Sequence, residues 1–378
     1  MKYYLIAGER SGDLHGANLI KALLQQDPEA QIRCWGGDAM QAAGGDLVVH
    51  YRDTAFMGFW EVFKNLRTIR RLMQRCQQDL LRFMPDALVL IDYPGFNLRI
   101  AKFAKRQNLR VFYYISPKLW AWNQSRAKKV KAYVDHMYVI LPFEKEFYQQ
   151  HDYEVQYVGN PLFDAIRDFT PSSDFASKYL TDGRPLVALL PGSREQEIAL
   201  MTEMMLTVAD RFPEYHFAVA AVDNVPAHFY EVARRHPSVS VITGQTYEIL
   251  CHARAAVVTS GTATLETALF EVPQVVTYRM SPITYQIARR LIRVPYISLV
   301  NLIANRPVVP ELIQGDFNAD RIAHWLPELA EPTAVRDQQL ADYRAIKEQL
   351  GDHNTSATVA KHIFDIVTSS KVAKKRPV

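Results

Sequence analysis

The chain has 378 residues, 48% apolar and 22% charged, and its 44 Lys/Arg against 40 Asp/Glu give a formal net charge of +4. That length exceeds one ordinary core and points to two domains, while the composition excludes disordered and collagen-like chains. Three scattered cysteines (Cys34, Cys76, Cys251) exclude a disulfide framework and a C-x-x-C metal site, and fit a reducing, cytosolic compartment.

The first apolar run, Tyr3 to Ala7, is too short for a secretory leader and reads as a strand. No apolar segment approaches the ~18 residues of a membrane span, so the chain is expected not to cross a bilayer. Beyond it, short β-rich runs alternate with helical periodicity: Ile32–Gly36, Ala87–Ile91, Arg110–Ile115, Met137–Leu141 and Val155–Val158. A second set follows at Leu186–Leu190, His216–Ala221, Val239–Ile242, Ala255–Thr259 and Gln274–Tyr278. Runs this short and this continuously apolar read as parallel strands buried on both faces. Between the sets, Gly159-Asn-Pro, Thr170-Pro-Ser-Ser-Asp and Asp182-Gly-Arg-Pro mark a boundary.

The expected architecture is α/β, with two facing Rossmann-like, doubly wound domains and a cleft between them at the carboxyl ends of both sheets. Residues 1–165 form the first domain, 166–184 a linker and 185–345 the second, and 346–378 carry a C-terminal helix that could cross back, ending in a disordered basic tail. Charge is uneven: Trp60 to Ala132 holds 16 Lys/Arg against 4 Asp/Glu, a local +12, leaving about −8 for the rest. A positive N-terminal half suits an anionic partner, whether nucleic acid, acidic phospholipid or a phosphorylated substrate.

Four strand ends carry candidate chemistry. Gly8-Glu-Arg-Ser-Gly-Asp-Leu-His-Gly follows the first strand and opens a helix, where small residues and unpaired N–H groups favour an anion. An ordinary turn with Asp13 capping the helix is an equal reading, and the G-x-G-x-x-G spacing of a dinucleotide site is absent. Leu190-Pro-Gly-Ser-Arg repeats that arrangement in the second half, with Arg194 suited to grip a diphosphate through two parallel bonds, or simply a surface arginine. Thr259-Ser-Gly-Thr-Ala-Thr-Leu-Glu sets a run of hydroxyls before a helix bearing Glu266, more than a helix cap needs; it can hold phosphates, with the glutamate on a ribose diol. Asp92, in Ile91-Asp-Tyr-Pro-Gly-Phe-Asn, is placed either as a general base or as a turn-forming aspartate.

From Phe59 to Cys76 the apolar residues Phe59, Val62, Phe63, Leu66, Ile69, Leu72 and Met73 share one helix side, with Lys64, Arg67, Arg71 and Arg75 opposite. This is either a core-facing helix with a solvated basic back or a helix on an anionic membrane. Metal-clamped transfer, zinc hydrolysis and serine hydrolysis lose support, since no D-x-D pair, H-E-x-x-H or G-x-S-x-G occurs.

Together these stretches resemble the lipid-A-disaccharide synthase family. The resemblance runs in order through Ala7-Gly-Glu-Arg-Ser-Gly-Asp, Met57-Gly-Phe-Trp-Glu-Val, Ile91-Asp-Tyr-Pro-Gly-Phe-Asn and Tyr114-Ile-Ser-Pro-Lys-Leu-Trp-Ala-Trp. It continues through Leu141-Pro-Phe-Glu, Leu190-Pro-Gly-Ser-Arg, Ser260-Gly-Thr-Ala-Thr-Leu-Glu and Tyr296-Ile-Ser-Leu-Val-Asn-Leu-Ile-Ala. It implies a glycosyltransferase B type fold and transfer of 2,3-diacylglucosamine from UDP-2,3-diacylglucosamine to 2,3-diacylglucosamine 1-phosphate, with a β(1→6) bond, inversion, and neither metal nor cofactor. It also implies a peripheral position on the inner leaflet of the Gram-negative inner membrane, and family members are often described as homodimers. No nucleic-acid partner is expected, since the sequence holds no recognised nucleic-acid motif or alternating aromatic–basic platform.

By the same resemblance Asp92 is the base and Arg194 the cation for the leaving diphosphate, with Gly192, Ser193, Ser260, Gly261, Thr262 and Thr264 lining the donor phosphates and Glu266 on the ribose. Glu9, Ser11, Gly12, Asp13 and Asn301 match substrate-binding positions, while Phe59, Trp60, Val62, Phe63, Lys64, Leu66, Arg67, Arg70 and Arg71 are the expected membrane contacts. The chain departs from the family pattern at Gly95, where many members carry a second aspartate, and at Asn160, where many carry histidine; His15 is a secondary base candidate. The alternatives are a UDP-N-acetylglucosamine 2-epimerase, the peptidoglycan N-acetylglucosaminyltransferase, or a non-catalytic module binding sugar nucleotide or lipid.

Overall fold

Tyr3, Tyr4, Leu5 and Ile6 are all essentially inaccessible in β1 (Lys2–Ala7). Each such side chain contributes roughly 1.5–3 kcal/mol by leaving water, which makes this strand the spine of its sheet. The computed structural model describes residues 1–53, 66–122 and 124–375, with only the backbone for Leu66, Trp122, Ile283 and residues 372–375. The expected membrane contacts Phe59, Trp60, Val62, Phe63 and Lys64, and the side chain of Leu66, lie outside the described residues.

The chain divides into two compact units, Met1–Ala165 with Asp352–Val378, and Ile166–Gly351. In the first, β1 is joined by β2 (Gln31–Gly36), β3 (Asp46–His50), β4 (Ala87–Ile91), β5 (Val111–Tyr114), β6 (His136–Val139) and β7 (Gln156–Tyr157). The order is β3-β2-β1-β4-β5-β6-β7, and every pairing is parallel. Parallel neighbours need crossover connections, which helices such as α1 (Arg10–Gln26), α2 (Asp38–Ala42), α3 (Leu66–Phe83) and α4 (Pro94–Arg106) supply.

On α3, Cys76 and Leu80 are fully buried while Arg67, Arg70 and Arg71 are exposed, so the described part of this helix turns its apolar side to the unit and its basic side to solvent. The C-terminal helix Thr355–Lys375 packs on α1, and Val359, Ala360, Ile363 and Val367 enter the same core as Tyr3, Leu5 and Ile20. Its first turn is capped by Asp164, whose carboxylate accepts from the Thr355 and Ser356 amides at 3.1 and 2.9 Å and from the Ser356 hydroxyl at 2.9 Å.

The second unit holds β8 (Leu186–Leu190), β9 (His216–Ala221), β10 (Val239–Thr243), β11 (Ala253–Thr259), β12 (Gln274–Tyr278) and β13 (Glu311–Ile313). Their order is β10-β9-β8-β11-β12-β13, again all parallel. The stretch read as a linker differs from that expectation. It contains a short helix, Phe175–Tyr179, whose Phe175 is 1% exposed in this unit's core, and Phe169 stacks edge-on against Tyr247 and Phe270. Aromatic burial makes 166–184 part of the second unit.

Candidate active site

In the N-terminal unit, β2 and β3 lie to one side of β1 and β4 to β7 to the other, so the strand order reverses between β1 and β4. In open parallel sheets ligands bind at the carboxyl ends of the strands flanking such a reversal. Two of the sequence motifs meet there. Ala7 pairs with Ile91 across the two strands, and the loops that follow bring Gly8, Glu9, Ser11, Gly12, Asp92 and Tyr93 around a shallow crevice.

Asp92 and Tyr93 both take left-handed backbone angles, with φ of 44° and 49°. For residues with side chains that conformation costs about 1–3 kcal/mol each, least for aspartate and asparagine, and persists only where the surroundings impose it. Here they do. The buried Asn97 amide donates to the carbonyls of Asp92 at 2.8 Å, Ile91 at 3.2 Å and Ile6 at 3.4 Å, and the Tyr113 hydroxyl donates to Asp92 O at 2.5 Å. Pro94 then starts α4 at the position where a missing N–H costs nothing. The Tyr93 ring lies against Gly8 so closely that a Cβ there would come within 2.3 Å of it. Burial and the charge of Asp92 together push the Tyr113 hydroxyl well above its usual range, so it remains a donor.

One residue matched to a substrate-binding position is turned into the fold in this unit. Asp13 is 5% exposed, and its carboxylate accepts the Gly37 amide at 2.6 Å and the Ala39 and Met40 amides at 3.1 Å. It caps α2 rather than its own helix, and its oxygens are taken by backbone. His15 is absent from the crevice lining that holds Asp92, and burial pushes its imidazole down to about 4, so it is neutral at neutral pH.

The C-terminal unit repeats the arrangement, with its strand order reversing between β8 and β11. After β8, Gly192 turns at φ +115°, and a Cβ there would meet the Glu197 carboxylate at 2.6 Å. Arg194 caps the helix Glu195–Ala209. Glu197 reaches back over the turn, accepting the Ser193 amide at 3.3 Å and Arg194 Nη1 at 3.2 Å. This carboxylate therefore occupies the anion position made by a helix N-terminus and an exposed guanidinium. Beside the turn, Asn224 donates to the Ser193 carbonyl at 3.4 Å and, with Asp223, Tyr230 and Arg234, lines a cavity of about 420 Å³ that no local pattern predicts.

After β11, Gly261 caps the helix Thr262–Leu269 with open space where its Cβ would be, and Thr262 is exposed. Ser260 donates to Ile297 O at 2.8 Å, while Thr264 is fully buried, donating to Gly261 O at 2.8 Å and accepting the Leu299 amide at 3.3 Å. Thr264 thus shapes the loop from inside rather than presenting its hydroxyl to a ligand. Asn301 is likewise held inside the fold. It is 1% exposed; its amide nitrogen donates to Val309 O and Glu311, and its oxygen accepts the Val308 and Val309 amides, all at 2.7–2.9 Å. Glu266 accepts the Tyr247 hydroxyl at 3.0 Å, and burial raises its carboxyl above the ordinary glutamate range. Among the described residues no three His, Cys, Asp or Glu side chains converge as a metal site.

The Trp-Ala-Trp stretch is also anchored. Trp120 Nε1 donates at 3.1 Å to Glu144, which also receives the Ile140 and Leu141 amides at 3.1 and 3.0 Å; against these donors, burial pushes its carboxyl up to about 7.

A sequence model of the lipid-A-disaccharide synthetase family matches residues 3–364. The chain belongs to this family. It is 37% identical over 370 residues to the lipid-A-disaccharide synthase of Geobacter sulfurreducens, covering 96% of each chain. Against the synthase of Syntrophus aciditrophicus it is 41% identical over 355 residues, covering 92% of this chain and 91% of that one. The family makes it a UDP-sugar-dependent glycosyltransferase of lipid A biosynthesis. Solved structures with the same fold include a UDP-GlcNAc 2-epimerase from Neisseria meningitidis bound to UDP-GlcNAc (TM-score 0.70, 13% identity, 97% of this chain and 100% of that one). The glycotransferase of kitacinnamycin gives a TM-score of 0.66 at 13% identity over 96% and 98% of the two chains. At such identity these show the fold alone, a pair of glycosyltransferase B type domains. No described helix is long and apolar enough to cross a membrane.

Proposed function

We propose that this enzyme transfers 2,3-diacylglucosamine from its UDP donor to the 6-hydroxyl of 2,3-diacylglucosamine 1-phosphate with inversion, releasing UDP. The observation that carries the reading is the strained, tightly supported turn presenting Asp92 at the strand-order reversal of the N-terminal sheet. A carboxylate on so rigid a mount suits a general base, because its position does not relax when the acceptor hydroxyl arrives. The hydroxyl oxygen attacks the anomeric carbon, Asp92 takes its proton, and the electron pair of the breaking bond goes to the diphosphate oxygen.

Charge therefore accumulates on the leaving UDP, and fixed donors aimed at it stabilise the transition state more than the ground state. Arg194, with the amides of the Gly192–Arg194 and Ser260–Thr262 turns, has this role, and the diphosphate takes the anion position that Glu197 fills. The cavity lined by Asn224 and Arg234 suits the nucleoside. Both substrates are anchored by acyl chains, and we assign the exposed Arg67, Arg70 and Arg71 of α3 to contact with the anionic inner leaflet of the inner membrane.

UDP release from UDP-2,3-diacylglucosamine, measured with and without the monophosphate acceptor, tests the reaction. Release that depends on acceptor supports transfer; equal release without it points to epimerase-type chemistry and overturns the proposal.

Glu266 gives a pH prediction. Only its ionised form can accept two hydrogen bonds from a ribose diol, so donor binding is linked to loss of its proton. Since burial raises its pKa, the donor KM should climb as pH falls through a point above ~4.3, the ordinary glutamate value. Glu266→Gln should raise KM about tenfold at neutral pH, by loss of a charge-assisted bond, and flatten the acid limb. An acid limb unchanged in the variant would assign the ribose to another residue.

A further inference from the structure

We propose that the C-terminal unit carries a lipid-docking surface of its own, on the helix Pro282–Leu291 and the turn that follows it. This helix is well formed: Ser281 caps it by accepting the Thr284 amide at 3.3 Å, and Pro282 occupies its first turn. Yet its outer side is not that of a solvated helix. Ile287 is 56% exposed, Leu291 51% and Ile292 42%, and Ile287 and Leu291 lie four residues apart on one face. Arg289, Arg290 and Arg293 are exposed among them, and no carboxylate pairs with them among the described residues. The surrounding sequence is wholly basic: between Glu271 and Glu311 there are five arginines and no acidic residue.

Aliphatic side chains interleaved with unpaired guanidinium groups match the boundary of an anionic bilayer. The aliphatics reach the acyl region while the arginines extend to the phosphates. Two other occupants fit less well. A second copy packed about a two-fold axis would set the same three arginines against each other, and a ten-residue helix falls short of the ~800 Å² per partner that a stable dimer buries. Single-stranded nucleic acid calls for a series of aromatic platforms, and Tyr285 is the one aromatic residue in the sequence of this helix. The inference rests on the reading that acyl-bearing substrates hold the enzyme at a membrane, and it adds a contact from the nucleotide-binding unit, which would keep that unit at the surface through turnover.

The test is vesicle co-sedimentation of the full chain, carried out in an Arg67→Gln/Arg71→Gln background so that α3 does not mask the result. Each arginine at an anionic surface is worth about a fivefold gain in partitioning, so Arg289→Gln/Arg290→Gln/Arg293→Gln should weaken binding to phosphatidylethanolamine–phosphatidylglycerol vesicles by at least about tenfold. Ile287→Ser/Leu291→Ser should do the same. Binding to pure phosphatidylcholine should be weak for every protein, and UDP affinity should stay within about twofold. Unchanged partitioning of both variants overturns the proposal, as does a wild-type protein that self-associates through this face and loses that association in the serine variant. Acceptor-dependent UDP release from short-chain, micelle-borne substrates, measured on the same proteins, separates a failure of the reaction assignment from a failure of the docking surface.

Discussion

Asp92→Asn should lower acceptor-dependent UDP release by about 10²–10⁴-fold in kcat while UDP affinity stays within about twofold. Asparagine, like aspartate, tolerates the left-handed angle at this position, so the turn, its Asn97 and Tyr113 bonds and the crevice should survive. What is lost is the capacity to take a proton. UDP affinity is spared because the donors assigned to the diphosphate, Arg194 and the amide turns, belong to the C-terminal unit. The control is Glu9→Gln, the other carboxylate lining the same crevice. If Asp92→Asn keeps kcat within tenfold and Glu9→Gln does not, the base has been misassigned. Steady-state UDP release, calorimetric UDP binding and a thermal melt on each variant decide between these outcomes.

Strand ends and glycine-rich turns were legible in the sequence because both signals are local. A fully buried strand such as Ala87–Ile91 is an unbroken apolar run, and the residue after it must sit at the sheet's carboxyl edge. The strands missed, Asp46–His50 and Glu311–Ile313, are edge strands. In the first only Val49 is buried and in the second only Leu312, and their apolar runs are just three and two residues long. At the candidate site, sequence singled out Asp92, Arg194 and Glu266 as candidates but not what holds them. Asn97, Tyr113 and Tyr247 act on those residues or their turns from neighbouring elements, and nothing in local spacing marks such partners. Asn97 did leave a trace, as a polar residue between Phe96 and Leu98 on the buried side of its helix.

Sequence also gives no sign of which polar residues of a motif turn into the fold. Asp13, Thr264 and Asn301 bond to backbone inside the fold. The two classes are chemically alike in sequence and separate only when their partners are known. A motif of this kind therefore contains residues that touch substrate and residues that fix the loop's shape, and both would be equally sensitive to substitution.

Asp13 offers the sharpest test of that distinction, through stability instead of turnover. Asp13→Ala removes the acceptor of three backbone amides in a site that is nearly dry, and hydrogen bonds to a charged partner are worth about 1.5–3 kcal/mol each. Allowing for water entering the space, the loss should be about 4 kcal/mol, a large part of the ~5–15 kcal/mol typical of folded proteins. Asp13→Asn should cost less, because its single oxygen can still accept from Gly37 and Met40. The adjacent glycines support the same account. A Cβ at Gly37 would meet the Tyr51 ring at 2.4 Å and Asp13 Oδ2 at 2.7 Å, so Gly37→Ala should destabilise by crowding the ring and the carboxylate together. Urea unfolding midpoints at constant slope measure these losses, with kcat/KM taken per folded molecule well below the midpoint. Stability within about 1 kcal/mol of wild type together with lost turnover would return Asp13 to the substrate site; lost stability with turnover kept would leave it as the cap that shapes the β2–α2 turn.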